Sequence, residues 1–337
     1  MIIQQNKPLK AYNTFGIETT AEYFTELKHL DTLHEIAADE TLPKRKVVLG
    51  GGSNILLTKP VTGLVIHNSL KGIFIKEENE QHVWVEVMAG EVWHEFVQYA
   101  LTNHLSGIEN LALIPGRVGA APMQNIGAYG VEVKDTIDQV TAWHWAEKRF
   151  IVLRNEDCDF GYRESIFKHL LKDKVLITAV TFRLNKWPTL HLEYGAIQAQ
   201  LETMGVSSPS IKSVAEAVMA IRRSKLPDPA MIGNAGSFFK NPTISKQQFD
   251  LLKAQFHDMP SYPVAHDQVK VPAGWLIEQS GWKGVRRHDA GVHVKQALVL
   301  VNYGMATGSE IQSLALEIIE SVQSKFDILL SMEVNIW

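Results

Sequence analysis

A hydroxyl stands between two glycines and two aromatic rings in the run Gly233-Asn234-Ala235-Gly236-Ser237-Phe238-Phe239-Lys240-Asn241-Pro242. Gly233 and Gly236 let the main chain turn sharply and approach a ligand closely. Phe238 and Phe239 are expected to bury the turn and keep water from Ser237, while Lys240 and Asn241 add a cation and an amide. The pattern is not Gly-x-Ser-x-Gly, so a hydrolase nucleophile elbow is disfavoured; a serine set this way can donate a proton instead. A Gly-rich turn that merely leads into a buried strand fits the same residues.

Four other places carry residues able to do chemistry. Gly50, Gly51, Gly52, Ser53 and Asn54 follow the apolar stretch Lys46–Leu49 and precede Ile55-Leu56-Leu57. Strand, glycine turn and apolar segment are the parts of a main-chain nest for phosphate, where successive N–H groups converge on an anion. A tight hairpin is the alternative. There is no Gly-Lys-Ser/Thr, and no Gly-x-Gly-x-x-Gly opens a helix, so neither a Walker loop nor a Rossmann fingerprint is present. Residues 109–130 are rich in Gly, Ala and Pro yet apolar, unlike a solvent loop. They suit either a close-packed helix–sheet junction or a surface along which a dinucleotide lies. Arg163 follows Gly161-Tyr162, as a residue held in a cleft would; a surface arginine paired with Glu164 or Asp159 is the other reading. Glu333 lies in the apolar terminal stretch 332–337, where the exposed face of an edge strand would account for it.

The elements that must hold these groups follow from apolar spacing. Leu30, Leu33, Ile36 and Ala37 predict a helix before Pro43, and Val92, Trp93, Phe96, Val97, Ala100 and Leu101 predict a second. Strands are expected at 83–87, 140–145, 150–153 and 175–184. Helices follow behind capping boxes at Ser213/Glu216, Ser245/Gln248 and Ser309/Gln312, with a buried strand at 296–302 and a last strand at 332–337.

At 337 residues, two or three domains are expected rather than one core. Hydrophobic residues make up 45% and charged residues 21%, an ordinary globular balance, and a net charge of −4 gives no basic field for nucleic acid. Cys158 is the single cysteine, which rules out an intramolecular disulfide or a cysteine cluster for zinc; no metal site is expected. The start, Met1-Ile2-Ile3-Gln4-Gln5-Asn6-Lys7, has no apolar run behind a basic stretch, and no segment reaches the roughly 18 apolar residues of a membrane span. A cytoplasmic protein is expected.

Taken together and in this order, Asn13-Thr14-Phe15-Gly16, the turn at 50–54, the run 109–130, Phe160-Gly161-Tyr162-Arg163-Glu164-Ser165, the run 233–242, the stretch 296–302 and Glu333-Val334 resemble the UDP-N-acetylenolpyruvylglucosamine reductase (MurB) family along essentially the whole chain. Leu192-Glu193-Tyr194-Gly195 resembles the tyrosine loop of the longer, enterobacterial-like subtype. The resemblance implies an α+β fold: a two-lobed FAD-binding domain of the vanillyl-alcohol-oxidase type over 1–196, with lobes of about 1–66 and 67–196, and a C-terminal α+β substrate domain over 197–337. It implies NADPH-dependent, FAD-mediated reduction of UDP-N-acetylglucosamine enolpyruvate in peptidoglycan precursor synthesis. It further implies a non-covalent FAD, a monomer and small-molecule partners only. Gly50 to Asn54 would hold the pyrophosphate; Pro115, Gly116, Gly119, Ala120, Gln124, Asn125, Gly127, Ala128 and Tyr129 would line the flavin. Arg163 and a protonated Glu333 would stabilise enolate-like charge and Ser237 would give the proton, while Tyr194, Arg222, Lys225, Asn241 and Gln296 would take the sugar nucleotide. Two departures stand out: Met332 replaces a proline frequent in relatives, and Arg286-Arg287-His288-Asp289 replaces a Gly-richer turn. Another FAD-dependent oxidoreductase on the same scaffold, with a different acceptor, is the alternative.

Overall fold

In the computed structural model, which describes residues 1–264 and 267–337, contacts divide the chain into two compact units. The first holds Met1–Lys7, Ala21–Gly51 and Thr62–Ser224; the second holds Pro8–Thr20, Gly52–Val61 and Lys225–Trp337. These divisions differ from the expected 196/197 boundary. The helices Gly195–Thr203 and Ile211–Lys225 explain part of the difference. Ile197, Leu201, Ala215, Val218 and Ile221 are buried in the core of the first unit, so this amphipathic pair stays with it. The N-terminal pieces explain the rest, because Thr14 and Gly52 are bonded to one another and the Asn234 N–H donates to the Thr14 carbonyl at 3.0 Å.

Two sheets build the first unit. One runs Gln4–Pro8, Thr20–Leu27, Val61–Asn68, Lys46–Leu49, with the last two parallel in the register Lys46 to Leu64. Its core is Leu27, Leu33, Ile36, Leu64, Ile66 and Leu70, closed by Trp143 and Leu176. The other is antiparallel, in the order Arg149–Arg154, Ile137–His144, Val175–Asn185, His82–Met88, Ile73–Glu78. Val175–Asn185 is the middle strand and reads as a continuous buried run, as a strand covered on both faces must. Helix Trp93–Thr102 lays Trp93, Phe96, Val97 and Ala100 on this sheet, with Trp93 and Phe96 against Phe182.

In the second unit, Gly233–Ser237, Val299–Asn302, Ala290–Val292 and Arg286–Arg287 form one antiparallel sheet, and Thr243–Ser245, Gln268–Lys270 and Tyr262–Val264 form another. The terminal strand is shorter than expected. Only Asn335–Ile336 pairs, parallel to Ile55–Leu56, while Met332 makes a single bridge to Phe239. The main chain between them changes partners: Glu333 N–H donates to the Phe238 carbonyl at 2.8 Å, and the Glu333 carbonyl accepts from Asn54 Nδ2 at 3.3 Å. Among the described residues, no helix is long and apolar enough to cross a membrane.

Two helix starts also move. Helix Ile211–Lys225 begins before the expected Ser213 cap, with Ser210 and Ser213 each accepting from the other's main-chain N–H at 3.2 and 2.8 Å. Helix Gly308–Phe326 is capped by Thr307 and Glu310, not by Ser309 and Gln312. Gly308 explains this entry: a Cβ there would lie 1.9 Å from the Leu57 carbonyl oxygen, so the chain must arrive close to Leu57 and begin its helix at that point. Ser245 does cap Lys246–Gln255, accepting from the Gln248 N–H at 3.1 Å. Thr307→Ala should therefore lower stability by about 1 kcal/mol, with Ser309→Ala costing much less; thermal unfolding of the two variants compares them, and equal losses would contradict the assigned cap.

Candidate active site

The strand Gly233–Ser237 is broken where Ser237 sits. Asn234 pairs with Val301 and Ser237 with Val299, so the register slips between them. Gly236 occupies the slip at φ +70°, a left-handed turn that glycine adopts without strain, and a bulge of this kind re-aims the next side chain. Asn234 holds the bulge. Its Oδ1 accepts from the Gly236 N–H at 2.9 Å and its Nδ2 donates to the carbonyls of Ile232 and Pro227 at 2.9 and 3.2 Å. Gly233 serves a different need, since a Cβ there would lie 2.3 Å from the Phe15 carbonyl oxygen. Phe238 and Phe239 point into the core at 0% and 1% exposure, so they anchor the turn without shielding Ser237, which is exposed. The expectation that these rings keep water from the hydroxyl is thus corrected: past the bulge the two consecutive rings are both buried while the serine is left at the surface.

The second unit holds further expected residues. Glu333 is half-buried, one hydrogen bond away along the main chain from Phe238 and another from Asn54. It lies outside the paired part of the expected terminal strand 332–337, because the pairing of residues 335–336 does not extend back to it. Asn241 Oδ1 accepts from the Ala273 N–H at 2.9 Å and so starts the helix Ala273–Gln279. Gln296 is half-buried with Oε1 3.3 Å from the Leu298 N–H, and Lys225 is exposed at the end of its helix.

The first unit holds Arg163, Arg222, Tyr129 and Tyr194. Arg163 has φ +58°, strained for a side chain of its size, and its guanidinium donates Nη2 to the Gly127 carbonyl at 2.9 Å and Nη1 to the Asn125 carbonyl at 3.4 Å. Nearby, Glu164 bonds Lys168 and His169, at 3.2 and 2.9 Å. Asn125, fully buried, donates Nδ2 to the Gly161 carbonyl and Glu132, each at 3.0 Å, and accepts from the Lys134 N–H. Its side chain is spent on fixing the Arg163 loop. Ser165 adds a 2.6 Å bond to the Met123 carbonyl. Tyr129 and Gly130, at φ +50° and +82°, form the tip of the hairpin Gly127–Ala128 and Val131–Glu132. The Tyr129 hydroxyl bonds Arg222, whose Nε also donates to the Leu113 carbonyl at 3.2 Å. Burial raises the Tyr129 phenol against a smaller pull from Arg222, and lowers the Arg222 guanidinium. The Tyr194 ring meets Tyr129 edge-on, 5.4 Å between centroids.

In the glycine turn and the apolar run, main chain packs against main chain. A Cβ on Gly51 would lie 3.1 Å from the Gly116 Cα, and one on Gly50 would lie 3.7 Å from Arg117. Gly52, at φ +63°, would carry its Cβ 2.0 Å from the Tyr12 carbonyl oxygen. Gly52 therefore admits only main chain and Gly51 little more, as a pyrophosphate nest demands, while Gly50 has ordinary van der Waals room. Gly119 is bare for another reason, since a Cβ there would meet Ala89 Cβ at 2.5 Å where the run crosses the five-stranded sheet. Pro115, Ala120, Gln124 and Ala128 lie along the same run, partly or fully exposed. No cluster of metal-ligating side chains is found among the described residues.

An FAD-binding domain followed by a C-terminal α+β domain defines a two-domain flavoprotein. The profile described as an FAD binding domain matches residues 24–148, and that of the UDP-N-acetylenolpyruvoylglucosamine reductase C-terminal domain matches residues 228–337. The UDP-N-acetylenolpyruvoylglucosamine reductase of Flavobacterium johnsoniae is 49% identical over 100% of both chains, and that of Pseudomonas aeruginosa is 46% identical over 99% of each. The crystal structure of the Thermus caldophilus enzyme is 26% identical, with a TM-score of 0.68 over 100% of this chain and 98% of that one. The chain belongs to the UDP-N-acetylenolpyruvoylglucosamine reductase family.

Asn125, Asn234 and Asn110 do the positioning, yet sequence reasoning passed over what their side chains do. The available signal was an Asn beside Gly or another small residue inside an apolar run, where a polar side chain has to be satisfied by nearby main chain. Cys158 is buried, its Sγ donating to the Arg154 carbonyl at 3.3 Å, and burial pushes its thiol up to about 12. It should give no iodoacetamide adduct at pH 8 while the protein is folded, and one per chain after denaturation, by intact mass; rapid native labelling would contradict the burial.

Proposed function

We propose that the protein catalyses NADPH-dependent, FAD-mediated reduction of UDP-N-acetylglucosamine enolpyruvate to UDP-N-acetylmuramate, a step of peptidoglycan precursor synthesis. The observation that carries this reading is Ser237 presented outward on a glycine bulge, with Glu333 tied by its main chain to Phe238, in a chain of this family. The turn Gly50, Gly51, Gly52, Ser53 and Asn54 would hold the FAD pyrophosphate, and Pro115, Gly116, Gly119, Ala120, Gln124, Asn125, Gly127, Ala128 and Tyr129 would lie along the cofactor. With no cysteine or histidine in that turn and Cys158 buried, the flavin is held non-covalently. When bound, FAD supplies the hydride, taken from NADPH and delivered to the terminal vinyl carbon.

The protein's part is electrostatic and protic. Negative charge grows on the substrate carboxylate as hydride arrives, and donors fixed beforehand stabilise it without reorganising. Arg163 is one, its fork held by two main-chain carbonyls; Glu333 in its acid form is the other. Ser237 gives a proton to the carbon bearing the ether oxygen, so that one hydride and one proton add across the double bond and no other bond breaks. Tyr194, Arg222, Lys225, Asn241 and Gln296 bind the remote uridine diphosphate, with Tyr194 on the loop of the longer, enterobacterial-like form. One chain supplies every group this requires, which suits a monomer, and NADPH and sugar nucleotides are cytoplasmic molecules.

Anaerobic stopped-flow separates the steps. Native protein should be bleached by NADPH and recoloured by the enolpyruvyl sugar nucleotide. Ser237→Ala should keep FAD and bleach at a near-native rate, while recolouring slows by at least the ~10²–10⁴-fold typical of losing a positioned acid. Slowing of both steps alike, or of neither, removes Ser237 from the chemistry; native protein that is not recoloured removes the reaction.

A further inference from the structure

Asn110 is 1% exposed and sits in the short turn Glu109–Leu111. Its Nδ2 donates twice, to the Tyr129 carbonyl at 3.1 Å and to the His191 carbonyl at 3.0 Å. Its Oδ1 is buried without a partner among the described residues. A buried acceptor left unsatisfied is costly, so stability alone would favour an apolar side chain here. What the amide gains for that cost is a joint between two separate pieces of chain. One is the strained hairpin tip, Tyr129 at φ +50°. The other is the irregular stretch 186–194, which leads from the strand Val175–Asn185 to the helix Gly195–Thr203 and ends at Tyr194.

That stretch is tied at its start, where the Lys186 N–H donates to the Gln81 carbonyl at 2.8 Å and Trp187 Nε1 to the Glu80 carbonyl at 3.3 Å, and Leu192 packs on the core of the first unit. The rings of Trp187 and Tyr194 add little burial, being 74% and 44% exposed. The bond to His191 falls three residues before Tyr194, and the bond to Tyr129 falls on the residue whose ring Tyr194 meets edge-on. Two donors of one planar amide therefore hold both partners of the aromatic pair by their main chains or by a near neighbour's. The hairpin beneath has its own ladder, Gly127 with Glu132 and Ala128 with Val131, whereas residues 188–194 belong to no strand, so the amide weighs more on the second piece than on the first.

We propose that Asn110 is a positioning residue that clips the Tyr194 loop to the Tyr129–Gly130 tip and thereby sets affinity for the sugar nucleotide, without touching it. The step from clip to affinity rests on the reading above, in which Tyr194 binds the diphosphate. A preformed loop spares the substrate the entropy of ordering it, which appears in KM rather than in kcat.

The test compares Asn110→Ala, Tyr194→Ala and the double variant. Asn110→Ala should raise KM for the enolpyruvyl sugar nucleotide about tenfold, a factor that one or two lost hydrogen bonds supply. Its kcat and the rate of bleaching by NADPH should stay near native. On the Tyr194→Ala background it should add little, because the two act through one loop. Limited chymotrypsin digestion gives a readout independent of activity: cleavage after Trp187, Leu192 or Tyr194 should quicken in Asn110→Ala. Unchanged cleavage, an additive KM effect, or equal loss of kcat and bleaching overturns the proposal. Unchanged KM in Tyr194→Ala overturns instead the assignment of Tyr194 to the substrate, and the cleavage result alone then judges the clip. Should Asn110→Ala not fold, Asn110→Ser, which keeps one donor, is read the same way.

Discussion

The main chain of Phe238 is held from both sides, and the arrangement of the second unit follows from that. Its N–H donates to the Leu298 carbonyl at 2.7 Å, and its carbonyl accepts from the Glu333 N–H at 2.8 Å. Lys240 N–H to the Ser331 carbonyl, at 2.9 Å, repeats the pairing two residues on. The two buried rings of Phe238 and Phe239, with Phe15 edge-on to the first, keep water out of these bonds. A hydrogen bond away from water is costly to break because its partners then stand unsatisfied. The side chains of Ser237 and Glu333 consequently leave a rigid base, one from a bulge and one from the strap that crosses beside it. Preorganisation of this kind is what proton donation and charge stabilisation need, since neither leaves time for the protein to rearrange.

The first unit meets the same requirement through strain. Leu113, Asn125, Tyr129 and Arg163 all have positive φ, a conformation that costs a side-chain-bearing residue about 1–3 kcal/mol. All four belong to, or bond with, the run that carries the expected flavin contacts. Buried amides hold them there: Asn125 fixes the loop of Arg163, and Asn110 the tip at Tyr129. These amides lie in the apolar run because main-chain groups displaced from a regular ladder still require partners.

Apolar spacing made much of the fold legible. Trp93, Phe96, Val97 and Ala100 marked a helix that does lie on a sheet, and the run at 175–184 marked its central strand. The glycine turn and the Ser237 run stood out because glycine density has few physical causes. What stayed hidden was decided by tertiary context. Thr307 and Ser309 both offer a hydroxyl three residues before an acceptor, and only the close approach of Gly308 to Leu57 selects the first. The bulge between Asn234 and Ser237 depends on which residues of Val299–Asn302 face it, a partner far along the chain. The two carbonyls that accept from the Arg163 guanidinium belong to a loop distant along the chain, which its flanking residues do not announce. Glycines at 119 and 233 stand where a Cβ would meet Ala89 and the Phe15 carbonyl, neighbours distant along the chain.

The account turns on Ser237 and Glu333 acting as one unit on one double bond. A double-mutant cycle measures this directly. Reoxidation of the reduced flavin by the enolpyruvyl sugar nucleotide is timed for Ser237→Ala, Glu333→Gln and the pair. If both groups serve the same step, the double variant should be about as slow as the slower single, since residues acting as a unit are grossly non-additive. Losses that multiply, so that the double variant falls by the product of the two singles, would show two independent contributions and contradict the account.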